Sequence, residues 1–229
     1  MRTVLSDFSS SLSCVRDVAD FIDSNISTAL TDPVIRRRFE FMQCSAMVIL
    51  SGYFESFLRN LAERCVASIC ALNKPFVTLP DKIRHAHYEL GGRALAIRAK
   101  DDRTGRPSRI AATAGDISSR LFSVATNPYN LVWEGFAETQ SNPGSENVAE
   151  YLKRYGITSP WDQLAVKIGK SSRTLRLQLD SFLYLRNECA HTGTANSIPT
   201  PNDIRDYVSF FQSLGHGIVS ILEDLVASL

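Results

Sequence analysis

The chain has 229 residues, of which 44% are apolar and 21% are charged, a composition typical of a folded globular protein. This length can bury a substantial core without disulfides or a structural metal, so we expect one domain over residues 1–229. The formal net charge of +1 argues against a protein that coats long nucleic acids by charge alone.

Cysteine usage and the apolar runs bear on the cellular compartment. The five cysteines are an odd number without regular spacing, which indicates reduced thiols. The amino terminus, MRTVLSDFSSSLSC, lacks the sustained apolar stretch of a secretory signal, and the run AMVIL is too short to span a bilayer. We therefore expect a cytoplasmic protein without a membrane partner.

Helical signals dominate the first third of the chain. A helix is predicted over about residues 12–30, and Asp32 and Pro33 then provide an N-cap and a first helical residue for a long helix that runs to about Leu72. The apolar residues of this long helix step by three or four and should share one buried face. They are Phe39, Met42, Ala46, Ile49, Tyr53, Phe57 and Leu61.

The rest of the chain divides into an irregular middle and a regular end. A helix over about residues 81–100 and a polar loop precede shorter helical pieces, one of which starts with Ser159 as N-cap. Residues 101–170 are expected to form an irregular segment or an insertion. The last helix begins at Thr200 and Pro201, with Asp203 at its third position. The predicted class is an all-α bundle with one long helix, an irregular helical middle and a carboxyl-terminal helix pair.

The first helix of that pair ends in the hexapeptide RNECAH, residues 186–191. Arg186 takes a place in its apolar stripe, which consists of Leu175, Leu179, Phe182, Arg186 and Cys189. A buried guanidinium is costly unless it is paired, so Arg186 needs a partner. Asn187 and His191 are four residues apart and share a face, whereas Arg186 and His191 diverge by about 140° on a continuous helix. They can converge if the helix loosens at Thr192-Gly193, or if a second copy supplies the complement.

The pattern Arg186-Asn187-x-x-x-His191 resembles the R-N-x-x-x-H signature of the HEPN superfamily of all-α domains. The layout, with a long helix containing AMVILSGYFESFLRNLAER, an irregular middle, the motif helix and one closing helix, is similar to the RiboL-PSP group. That resemblance implies a metal-independent ribonuclease of toxin or antiviral systems. It also implies a 2',3'-cyclic phosphate product and a site at a homodimer interface, where the motifs of the two subunits face each other.

The three residue types suit RNA cleavage on chemical grounds as well. RNA carries its own nucleophile in the ribose 2'-hydroxyl, so the enzyme needs a base, an acid and positive charge, but neither a metal nor a cofactor. Histidine titrates near neutral pH, which makes His191 the candidate for proton transfer. Arg186 would hold the non-bridging phosphate oxygens, and Asn187 would orient the imidazole or bind substrate. Catalytic roles are therefore predicted for Arg186, Asn187 and His191.

For several other residues, the sequence leaves a structural and a functional role open. Glu55 is either a solvated acid or an ion partner that positions Arg186, and Glu188 is a second candidate partner. Lys167, Lys170, Arg173 and Arg176 lie in a stretch without acids and are candidates for RNA contact, although a charge run is usually a solvated surface. Cys189 is expected to be a small core residue. His85 and His87 are two residues apart on a helix and point to different sides, so no metal site is predicted.

Two other interpretations stay open. The bundle could be a non-catalytic interaction or nucleotide-binding module, in which Arg186 is a core residue and His191 only complements the helix dipole. Alternatively, the nuclease could be silenced by an antitoxin or a regulatory partner on another chain, since no sensor segment is evident in this one.

Overall fold

The structure is a computed structural model that describes residues 1–108, 110–125, 128–139, 143–192 and 197–229. These ranges contain helices, turns and loops but no strand, so the predicted all-α class is confirmed. The α-helices are α1 (Arg2–Ser24), α2 (Ile26–Thr31), α3 (Pro33–Ala71), α4 (Asp81–Thr104), α5 (Ala114–Phe122), α6 (Trp133–Phe136), α7 (Ser145–Lys153), α8 (Pro160–Ile168), α9 (Ser172–Thr192) and α10 (Pro201–Ser228). Single 3-10 turns occur at Phe76–Thr78 and Ser123–Ala125.

Helix α3 is the central element, and its predicted start is confirmed. The Asp32 carboxylate accepts hydrogen bonds from the backbone N–H groups of Val34 and Ile35 at 2.8 and 3.4 Å. The predicted buried face is wrong at Ile49, which is 48% exposed. Several helices pack along α3 on different sides, namely α1, α9 and α10, so burial follows their positions and not one stripe of the sequence.

Length and apolar composition alone would also allow α3 to cross a membrane. In the fold, its apolar side chains form the middle of the main hydrophobic core, with Met47, Leu50, Leu58 and Leu61 fully buried. This burial is what the core helix of a globular bundle shows.

Helix α1 starts earlier than predicted. Val4 and Phe8 extend the buried spacing of Leu12 and Val15 toward the amino terminus, so the helix begins at Arg2. The predicted helix over residues 12–30 is therefore two helices, α1 and α2, which meet at Asn25.

Helix α10 closes the bundle and forms the predicted pair with α9. Thr200 and Asp203 make a reciprocal capping box, as their positions in the sequence predicted. Gly215 lets α1 approach, because a Cβ there would lie 3.1 Å from the Phe8 ring. Gly217 does the same for α8, since a Cβ would lie 3.1 Å from Leu164 and from Ile168.

The middle of the chain packs against this bundle as short helices. Helix α4 continues to Thr104, beyond the predicted end at Lys100. Ser159 does precede α8, but its side chain makes no capping hydrogen bond, and its backbone is left-handed with φ 48°. The prediction of a Ser159 side-chain cap is therefore wrong, because N-cap geometry requires an extended backbone at that residue.

Candidate functional site

Helix α9 carries the candidate catalytic residues and is held to the core by the predicted stripe. Leu175, Leu179, Phe182 and Cys189 are buried, and Arg186 is half-buried among them. The helix continues through His191 without a break. Its last turns therefore present a regular helical arrangement of Arg186, Asn187 and His191.

The Arg186 guanidinium is only partly satisfied. One terminal nitrogen, Nη1, donates to the Asn187 side-chain oxygen at 3.0 Å. The Nε atom is buried and has no hydrogen-bond partner. A buried donor without an acceptor costs about 1–3 kcal/mol, more when it is charged. Arg186 is thus held by Asn187 and keeps donor capacity that an anionic oxygen would satisfy.

His191 lies on the opposite, solvent-facing side of α9. Its side chain is exposed, and it stands five positions after Arg186 on the helix, which corresponds to about 140° of rotation and about 7.5 Å of rise. Within the described part of one chain, the helix does not loosen between the two residues. The predicted loosening at Thr192-Gly193 lies partly outside the described residues.

An exposed apolar stripe accompanies His191 along the outer face of α9. Leu177 and Tyr184 are 56% and 67% exposed. Leu177, Tyr184 and His191 are spaced by seven residues, which places them on one face. Asn187 is half-buried and lies between Tyr184 and His191 on nearly the same side.

Glu55 has a different partner from the one predicted. Its carboxylate accepts a hydrogen bond from the Thr139 hydroxyl at 3.2 Å and lines a cavity of 650 Å³ between α3, α4 and α6. Within the described ranges no ion pair joins Glu55 to Arg186. Glu188 is half-buried, and its charge is close enough to act on the Cys189 thiol. The supporting roles of both acids remain predictions.

Cys189 is a core residue, in agreement with the prediction from its position. Burial raises the pKa of its thiol to about 12, and a hydrogen bond with the Cys44 side chain acts in the same direction. A thiol with such a pKa is protonated at neutral pH and is a poor nucleophile.

The four cations that were predicted to contact RNA differ in their surroundings. All four are exposed, but Lys167 makes an ion pair with Asp224 at 2.6 Å on the α10 side. Arg176 instead lines a cavity of 470 Å³ beside the acids Glu146, Glu150 and Asp162. Arg176 also lies about 22 Å from His191 along the helix axis, since the two residues are fifteen positions apart. RNA contact by Lys167, Lys170, Arg173 and Arg176 stays a prediction.

His87 has a structural environment. It is fully buried, its Nδ1 accepts the Val132 backbone N–H at 3.2 Å, and its Nε2 is 3.2 Å from the Leu121 carbonyl oxygen. Since a backbone N–H can only donate, Nδ1 is the acceptor and Nε2 carries the proton. Burial lowers the pKa of His87, and the nearby Arg120 charge lowers it further. His85 on the same helix is exposed. In the part of the chain that the structure describes, no three His, Cys, Asp or Glu side chains are grouped as a metal site would require.

Comparison with known proteins agrees with this architecture. Residues 9–224 match the RiboL-PSP-HEPN family model, which covers nearly the whole chain. The protein is thus an all-α domain that belongs to the RiboL-PSP-HEPN family. The family suggests a ribonuclease-like or nucleotide-related function. No curated protein and no solved structure matches the chain.

Proposed function

We propose that this protein is a metal-independent endoribonuclease of a toxin or antiviral defence system. The observation that carries the proposal is the Arg186 guanidinium, half-buried near the end of α9 with an unpartnered Nε, on the same helix turns as Asn187 and the exposed His191. A structural arginine in a core would have its donors satisfied. A guanidinium with an unsatisfied donor, five positions before an exposed imidazole on the same helix, suits an anionic substrate.

The proposed reaction uses the substrate's own nucleophile. A neutral imidazole takes the proton of the ribose 2'-hydroxyl, and the 2'-oxygen forms a bond to phosphorus. The phosphorus–O5' bond breaks, and a protonated imidazole gives its proton to the leaving O5'. The products are a 2',3'-cyclic phosphate and a 5'-hydroxyl. Arg186 donates to the non-bridging oxygens as negative charge develops on them, and Asn187 holds the guanidinium in place.

The site is proposed to form between two copies of the chain. On a continuous α9, Arg186 and His191 point about 140° apart, so one protomer does not aim both at the same phosphodiester. The exposed Leu177 and Tyr184 on the His191 face support a contact between two α9 helices, because apolar side chains exposed in register favour burial by a partner. A twofold axis beside this face would bring His191 of one copy toward Arg186 of the other, so that each of two equivalent sites combines one imidazole with one guanidinium.

Regulation by another chain is part of the proposal. A partner that covers the outer face of α9, such as an antitoxin, would block both dimer formation and access to His191. Harmless overexpression of the wild-type protein without a partner would count against such control.

The composite site has a direct test. Purified protein is incubated with RNA in EDTA, alongside Arg186→Ala, His191→Ala and a mixture of the two variants that has been unfolded and refolded together. Each variant alone should be inactive. The mixture should regain about a quarter of wild-type activity, because half of the dimers are mixed and one of their two sites is complete.

The outcomes separate the hypotheses. Cleavage that both single variants retain would refute a role for Arg186 and His191. Inactive variants whose mixture stays inactive would refute a site shared between protomers. A wild-type protein that never cuts RNA, with a His191→Ala variant that melts at a lower temperature, would favour a non-catalytic module.

A further inference from the structure

A cleft of 750 Å³ opens between α4 and α7, apart from the motif end of α9, and we call it the α4–α7 cleft. One wall is a face of α4 that presents Lys82, His85, Glu89 and Arg93 at spacings of three, four and four residues. The other wall consists of Glu150 and Lys153 of α7, Arg154 directly after this helix, and the turn over residues 156–159.

The cations of this cleft exceed its anions. Four Lys and Arg side chains face two carboxylates, and both carboxylates already have partners. Glu150 binds Lys153 at 2.6 Å, and Glu89 lies 3.9 Å from Arg93, which is equally near the Glu138 carboxylate. Within the described residues Lys82 and His85 are exposed and form no ion pair. The cleft therefore carries uncompensated positive charge at the amino-terminal end of α4.

Neutral donors complete this end of the cleft. The turn comes close to α4, since a Cβ on Gly156 would lie 3.8 Å from the Cβ of Lys82. Thr158 and Ser159 are exposed in this turn. Hydroxyl and backbone N–H groups next to a lysine are the mixed donor set that phosphate oxygens accept from.

Arg154 forms the floor of the cleft. One of its terminal nitrogens donates to the carbonyl oxygens of Phe136 and Glu138 at 3.0 and 2.5 Å. Neutral carbonyl acceptors position the guanidinium while leaving it charged. Arg154 thus adds a fixed positive charge beside Lys82 and Lys153, and the Glu138 carboxylate is near enough to interact with it.

We infer that the α4–α7 cleft binds the phosphate backbone of the RNA substrate at a distance from the cleavage site. Along α4 the cleft wall from Lys82 to Arg93, with a cation at each end, extends about 16 Å, which suits a polymer with one charge per unit better than a single anion. The inference rests on the proposed ribonuclease function. It adds a second candidate contact region to the one predicted for the four cations around α8 and α9.

The test measures binding separately from cleavage. In a His191→Ala background, which prevents turnover, binding of a fluorescein-labelled single-stranded RNA is followed by anisotropy over a salt series. Lys82→Gln with Lys153→Gln should weaken binding by about tenfold, because two charge-assisted contacts are lost. The slope of log K against log salt should fall by about 1.4, or 0.7 for each contact.

Matched variants control for net charge and for folding. Lys74→Gln with Lys100→Gln removes the same charge from exposed lysines outside the cleft and should change binding much less. Lys82→Arg with Lys153→Arg keeps both charges and should bind like the parent. Unchanged melting temperatures are expected for all three pairs, since these lysines are exposed.

Three results would overturn the inference. They are an equal loss of affinity in the Lys74/Lys100 pair, no loss in the Lys82/Lys153 pair, and no RNA binding by the parent. Pyrophosphate or ATP binding that depends on Lys82 and Lys153, with RNA binding unaffected, would assign the cleft to a small phosphate ligand. Cleavage by the His191-intact protein is assayed separately, so a failed nuclease and a failed cleft give different results.

Discussion

His87 and His191 occupy contrasting environments. His87 is fully buried between α4 and the segments that carry Leu121 and Val132, and both of its ring nitrogens have backbone partners. His191 is exposed on the last turn of α9, five positions after Arg186, whose buried Nε has no hydrogen-bond partner. A histidine with every hydrogen bond satisfied stabilises the fold, whereas an exposed one is available to a substrate.

The contrast predicts opposite effects of substitution, and the largest concerns catalysis. His191→Gln should lower the rate of RNA cleavage by about 10²- to 10⁴-fold, the usual contribution of a proton-transfer group. The free energy of unfolding should change by less than about 0.5 kcal/mol, as for other exposed positions. Chemical denaturation and an RNA cleavage assay measure the two quantities. His216→Gln, at another exposed histidine, is the control and should cleave normally. Equal rates for both variants would contradict a catalytic His191.

The second effect is on stability. His87→Phe preserves the bulk of the ring but leaves the Val132 N–H and the Leu121 carbonyl without their partners. The loss should be about 2–4 kcal/mol of unfolding free energy, measured by urea denaturation. His85→Phe on the exposed side of the same helix is the matched control, with an expected change below about 0.5 kcal/mol. A His87→Phe variant as stable as wild type would show that the two hydrogen bonds of His87 do not hold α4 in place.

The smallest effect is the dependence of stability on pH. Because the folded protein lowers the pKa of His87, the unfolded chain binds a proton at a higher pH than the folded chain does. The His87 contribution is present above the unfolded pKa of about 6.5 and is lost as pH falls toward the lower folded value. Through this one group, the free energy of unfolding changes by at most about 1.4 kcal/mol per pH unit. Urea denaturation should show that the difference in unfolding free energy between wild type and His87→Phe becomes smaller as the pH falls from 7.5 to 5. A constant gap would contradict a neutral, buried His87.

The difference between the two histidines could be read only in part from the chain. For His191, the local pattern of an arginine within an apolar stripe already set the segment apart, because helix periodicity alone determines which residues share a face. For His87, the spacing from His85 excluded a shared face but showed nothing of its partners. Those partners come from residues 34 and 45 positions further along the chain. No local rule predicts contacts of that separation.

The sequence by itself determined the helical class, the start of α3 at Asp32 and Pro33, the capping box of α10 and the place of Arg186 in the buried stripe of α9. Each of these depends on backbone hydrogen bonds or periodicity within a few residues. Only the tertiary structure decided that Ile49 is exposed, that Glu55 binds Thr139, and that Lys82 and Lys153 face each other across one cleft. These features depend on how separate helices pack, and the free energy of that packing comes from side chains that are distant in the chain.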